Sequence, residues 1–167
     1  MSDEKPASAG WSNTLSNDIS DRIGMYQSLS DVPLAYRLEN IPNPEQYDDA
    51  WERWVSERVE SEELSERTQT QLERVGRKWR EHMDEVGRHY VCADPSHVES
   101  FFEKQLDRMK LQQAYHPYWV SLESFFWYLH DRTEYPHLYH PVLIAALEYP
   151  TAARLWEKKI GQKKSTQ

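Results

Sequence analysis

Tyr118-Trp-Val-Ser-Leu-Glu-Ser-Phe-Phe-Trp-Tyr-Leu129 is the run whose reading decides the fold. Tyr118, Trp119, Leu122, Phe125, Phe126 and Leu129 recur at helical spacing, while Val120, Trp127 and Tyr128 fill the remaining sides. A helix that is apolar nearly all round is one that sits among other helices. The run lies in a stretch, Tyr115 to Tyr149, that holds ten of the 21 aromatic residues and four of the seven histidines, with no glycine. That stretch is the predicted centre of the core.

Outward from it, a capping-type residue followed by proline announces helix starts at Asn43-Pro44, Asp94-Pro95, His116-Pro117, His140-Pro141 and Tyr149-Pro150. Proline suits the first helical position because the N–H it lacks would have no partner there. Tyr47, Trp51, Trp54, Val55 and Val59 form one apolar stripe. Leu64, Thr68, Leu72, Val75, Trp79, Met83 and Val86 form a longer one, ended by Gly87. Val98, Phe101, Phe102, Leu106 and Met109 make a third. Val142, Leu143, Ala145, Ala146 and Leu147 make a short fifth after the central run, and Ala152 to Ile160 a sixth. No alternating strand pattern and no fixed-period repeat is visible. The expected fold is all-α, a compact bundle of four to six helices. Residues 1–42 read as an acidic, mostly disordered extension with a short helix around Asn17 to Ser28. Residues 43–149 read as the helical domain, and residues 150–167 as a short C-terminal helix and basic tail.

A chain of 167 residues with 38% hydrophobic content suffices for one core. No apolar run approaches 18 residues and the N-terminus has no secretion-signal pattern, so a cytoplasmic protein without a membrane partner is expected. A single cysteine, Cys92, excludes an internal disulfide and a cysteine-rich zinc site. The net charge of −8 argues against phosphate binding only until its distribution is read. Residues 1–65 carry 14 acidic and five basic side chains, whereas residues 66–167 carry 14 acidic and 15 basic.

His137-x-x-His140, with His130 and Asp131 upstream, has the residue types of a metal site. Both later histidines are expected on one loop with nothing to fix their imidazoles, so the reading is loop and cap histidines, with no metal and no cofactor. Phosphate loops, nucleophile elbows and zinc-protease spacings are all missing from the sequence. A non-enzymatic protein is expected. On the long second helix, Arg67, Thr70, Gln71, Arg74, Arg77 and Lys78 share an outer face opposite the apolar stripe. Cations on such a face meet phosphates, and amides or arginines read base edges.

The order of elements resembles the N-terminal core-binding (SAM-like) domain of tyrosine recombinases, the phage-integrase type. The resemblance rests on Leu64-Ser-Glu-Arg-Thr68 opening the long helix and Asp94-Pro-Ser-His-Val-Glu-Ser-Phe-Phe102 opening the next. Phe102-Glu-Lys-Gln-Leu106, Ser121-Leu-Glu-Ser-Phe-Phe-Trp-Tyr-Leu129 and Tyr139-His-Pro-Val142 complete it. It covers about Asp48 to Ala146. His140-Pro141 stands where the family has Asn-Pro, and the family's catalytic Arg, Lys, His-x-x-Arg and nucleophilic Tyr have no counterparts up to Gln167. The resemblance implies a domain that closes over one face of duplex DNA with no catalysis of its own, as in a truncated integrase or an accessory regulator of recombination. Its partners would be double-stranded DNA and a full-length recombinase or further copies of itself. Carried over residue by residue, the DNA contacts are Ser65, Arg67, Thr68, Thr70, Arg74 and Lys78 on the long helix, and Gln113, His116 and Ser121 at the entrance of the central helix. The alternative is a helical protein–protein adaptor that binds through the acidic first helix or the loop from Tyr135 to Tyr139.

Overall fold

The computed structural model describes residues 26–165 together with Ile19 and Ile23. Among the described residues, six helices form the bundle: α1 (Ala50–Glu62), α2 (Glu66–Val86), α3 (Pro95–Leu106), α4 (Val120–Asp131), α5 (Pro141–Glu148) and α6 (Pro150–Ser165). There is no strand among the described residues, and no helix is long and apolar enough to cross a membrane. The expected all-α bundle is what the chain forms.

The best-defined element owes its ends to local chemistry. Ser65 Oγ accepts the Thr68 N–H at 3.2 Å and so satisfies a donor with no partner inside the helix. At the other end Gly87 takes a left-handed conformation (φ 78°), open to glycine at little steric cost, and the Arg88 N–H reaches back to the Met83 carbonyl at 3.0 Å. Leu72, Val75, Trp79 and Met83 are buried on one side of α2. α3 begins at a capping box in which the Asp94 N–H donates to His97 Nδ1 at 3.0 Å.

α4 is the centre of the molecule, as its composition predicts. The Phe125 ring centroid lies 4.7 Å from Trp51 of α1, and Phe126 packs edge-on against Trp79 of α2. α5 is buried from Pro141 to Ala146 and contacts α3, α4 and α6.

Two expectations, the start at Asn43-Pro44 and the disorder of residues 26–42, need correcting. Asn43-Pro44 does not start α1: it opens a single 3-10 turn, Pro44–Tyr47, and the helix begins at Ala50. The break is held by Tyr90, whose hydroxyl donates to the Asp48 carbonyl at 2.8 Å and accepts the Trp51 N–H at 3.0 Å. His116-Pro117 does begin the central helical run, as the sequence predicts: a first helical turn at Leu111–Gln113 ends in a kink where His116 leaves helical geometry (φ −125°, ψ 117°), and the run from Pro117 leads into α4. A residue before proline is sterically pushed toward extended backbone. Residues 26–42, expected to be disordered, form three 3-10 turns with Val32 and Leu38 buried, and the Leu38 N–H donates to Tyr139 Oη at 3.2 Å. Of the expected helix around Asn17 to Ser28, the Ile23 N–H donates to the Ile19 carbonyl at 3.0 Å; most of it lies outside the described residues, as does the rest of the extension. Residues 150–165 form a C-terminal helix, as expected, and α6 buries Ala152, Leu155 and Trp156 in the common core. The buried Glu99 of α3 caps α6, accepting the Thr151 and Ala152 N–H groups at 2.9 and 2.8 Å.

Candidate nucleic-acid interface

At 100° per residue, α2 divides into three strips about 120° apart. The first, Leu72, Val75, Trp79 and Met83, faces the core. The second carries Arg67, Arg74 and Lys78, which fall within about 40° of one another on the wheel. The third, with Gly76, Arg80 and Asp84, faces α1.

Arg67, Thr70 and Arg74 are exposed and Lys78 is half-buried. Ser65 is exposed, but its hydroxyl is occupied by the helix cap and donates to Thr68 Oγ1 at 3.1 Å, so both hydroxyls serve α2 first. Gln113 and His116 are exposed on the bent segment before α4. That segment packs against α2. Arg74 and Arg77 approach its Tyr118, where burial raises the phenol pKa and the two guanidiniums pull it back down. The fold therefore brings the cationic strip of α2 and the His116 segment to one side. Ser121 is not part of it: only 4% of the residue is exposed, and it cannot touch a large ligand. Its helix is apolar on so many sides that Ser121, one step past the bend, turns into the bundle.

The cations of this strip differ from many others among the described residues, although Arg37, Arg108, Lys110, Arg154 and Lys158 also have no carboxylate within ion-pair distance. Arg53, Arg58, Arg80, Arg88, Arg132, Lys104 and Lys159 each pair with a carboxylate. Arg67, Arg74, Arg77 and Lys78 have no carboxylate within ion-pair distance among the described residues. Four neighbouring positive charges are thus left to solvent or to a ligand. Arg77 sits between the strip and the α1 side, a position sequence spacing shows but whose free charge it cannot.

The histidines are structural. His137 and His140 are fully buried, contrary to the expected loose loop. His137 Nε2 donates to the Val91 carbonyl at 2.8 Å, and His140 Nε2 to the Glu123 carbonyl at 2.9 Å. His140 Nδ1 accepts the Leu143 N–H at 3.2 Å and caps α5. With both nitrogens engaged, His140 has none left for a metal. Burial lowers its pKa to about 3, which keeps it neutral. No three His, Cys, Asp or Glu side chains converge as metal ligands among the described residues.

One arrangement that the sequence does not reveal has the look of a hydrolytic dyad. Ser100 Oγ lies 3.0 Å from His82 Nε2, and Lys104 Nζ lies 3.2 Å from His82 Nδ1. A base for serine would need a free lone pair on Nε2. Lys104 can only donate, so Nδ1 is the acceptor and the ring proton resides on Nε2, within reach of the His97 carbonyl at 3.1 Å. The dyad has the wrong tautomer. Cys92 is buried, and desolvation pushes its thiol up to about 11, far from nucleophilic.

What the described surface offers here is a cationic face made of one helix strip and the bend beside it. Comparisons with family models, with curated proteins and with solved structures each find no match to this chain.

Proposed function

We propose that this protein binds duplex DNA through the cationic strip of α2 and the adjoining His116 segment, with no catalytic step of its own. The observation that carries the reading is the set of unpaired charges Arg67, Arg74, Arg77 and Lys78 on a chain whose other arginines are mostly tied to carboxylates. Pairing would have neutralised them, and burial would have been costly. From Arg67 to Lys78 the helix rises about 16 Å, against one phosphate per 3.4 Å of axis on each strand, so the strip matches a run of backbone. Thr70, Gln71 and Gln113 add neutral donors to the charged ones, the mixture by which proteins both hold phosphates and touch base edges. The overall charge of −8 does not oppose this, since residues 66–167 carry 15 of the 20 basic side chains. The role is the one implied by the resemblance to the core-binding half of a tyrosine recombinase: occupying DNA beside, or in place of, a full-length enzyme.

Fluorescence anisotropy with a labelled duplex, repeated at several salt concentrations, tests the reading. Binding that displaces counterions from about four phosphates gives a slope of log K against log salt near −3.6. Arg67→Glu together with Arg74→Glu is expected to weaken binding at least about 100-fold, since each reversal replaces an attraction with a repulsion. Absence of binding at low salt, or binding indifferent to the two reversals, overturns the proposal.

A further inference from the structure

We infer that the groove between α1 and α2 docks a basic amphipathic helix of a partner protein, a site that meets the proposed DNA-binding strip only at Arg77. The two helices run antiparallel around the short link at Glu63, and the channel along their outer side has a volume of about 630 Å³. Its floor is apolar, made by Val55, Val59 and the edge of Trp51. Gly76 keeps that floor open: a Cβ there would lie 2.5 Å from Trp51 Nε1, so the indole lies against bare backbone, where its N–H donates to the Leu72 carbonyl at 3.1 Å.

The rim is acidic. Glu52 and Glu60 rise from α1, and Glu73, Glu81 and Asp84 from α2, against the two cations Arg77 and Arg80. Arg80 is already engaged by Glu52 at 2.6 Å and lies over the Tyr90 ring. Glu60, Glu73, Glu81 and Asp84 have no ion-pair partner among the described residues, so the rim keeps its negative charge. The α1 side from Trp51 to Glu60 is about 14 Å long, room for roughly ten residues of a third helix lying in the channel. An apolar floor between charged walls is how helix-in-groove recognition works, with the walls selecting the sign of the flanking charges.

The negative rim repels phosphate, which excludes nucleic acid here. A second folded copy has little to offer either. Its basic helix α6 already buries its apolar face, Ala152, Leu155 and Trp156, in its own core. The occupant that fits is a helix with an apolar stripe bordered by lysine or arginine.

The test uses the whole protein and a labelled 14-residue helical peptide with a leucine stripe bordered by lysines, alongside the same peptide with glutamates in place of the lysines. The lysine peptide is expected to bind and the glutamate peptide not. Glu73→Lys with Glu81→Lys should weaken the lysine peptide about tenfold, and Val55→Ser with Val59→Ser, which leaves the rim intact, should do so by a similar factor. Circular dichroism and melting identify variants that remain folded; if the lysine pair does not, the serine pair decides. Equal binding of the two peptides overturns the proposal, as does binding unmoved by the serine pair, which would be charge attraction alone. A wild-type protein that sediments as a dimer broken by Val59→Asp overturns it in favour of a second copy. None of these outcomes depends on DNA binding.

Discussion

The two exposed flanks of α2 differ both in the charges they carry and in what stands beside them. On one flank Arg67, Arg74 and Lys78 share a strip, and Arg74 approaches Tyr118 of the bent segment that carries Gln113 and His116, which contributes no carboxylate. On the other, Glu73, Glu81 and Asp84 look across a groove at Glu52 and Glu60 of α1. A single amphipathic helix so presents opposite charges to opposite sides, with one buried strip supporting both. The contrast teaches that net charge is a poor guide to partners: the sum of −8 conceals a cationic face that a neighbouring acidic element would have erased.

The harshest way to break the contrast is to part the helices that create it. Gly76→Val places branched carbon against the Trp51 indole and should cost about 3 kcal/mol or more, read from urea unfolding. An unchanged midpoint would mean that α1 and α2 do not meet at this position. Next comes a lesion remote from both flanks. Glu99→Ala leaves the Thr151 and Ala152 N–H groups without their acceptor and should cost about 2–3 kcal/mol, while DNA affinity stays within about twofold. A larger loss of affinity would tie the surface to α6 and blur the separation of scaffold from face.

Acid sharpens the same distinction. The His140 pKa is lowered to about 3, and those of His82 and His97 are lowered too, each chiefly by burial. The unfolded chain therefore takes up protons near pH 6.5 that the folded one resists. Stability is intact above about pH 6.5 and falls as the pH drops from there, by up to about 1.4 kcal/mol per pH unit for a fully resisting histidine. Denaturant midpoints at pH 7, 6 and 5 should decline in that order, and His140→Gln should flatten part of the slope. The smallest effect is the most pointed: Glu81→Lys, on the boundary between the flanks, should raise DNA affinity about threefold at low salt and less at high salt. No gain would mean that the acidic flank does not weaken the basic one.

How much of this was legible depends on how far apart the partners are in sequence. The ends of α2 were plain because Ser65 and Gly87 act within three residues. The start of α1 was misread because the hydroxyl that holds it belongs to Tyr90, 39 positions from Trp51. The ion pair of Arg58 with Glu62 follows from helical spacing, whereas that of Arg80 with Glu52 needs the fold. Ser121 was misplaced for a related reason: α4 is apolar on nearly every side, so periodicity gave no outward direction. His137 and His140 read as loop and cap histidines, and His140 does cap α5, but their burial was not legible, since the carbonyls they bind, Val91 and Glu123, lie in other elements.

By itself the sequence determined the helices, their most local caps and the central place of the aromatic run, because turn periodicity and capping are short-range and repeat along the chain. It also determined that cations share one strip of α2. Only the tertiary structure decided which of those cations stay unpaired, which polar residues are hidden, and that an acidic groove lies behind them. Charge pairing and burial depend on neighbours brought together from distant segments, and spacing along one helix carries no information about them.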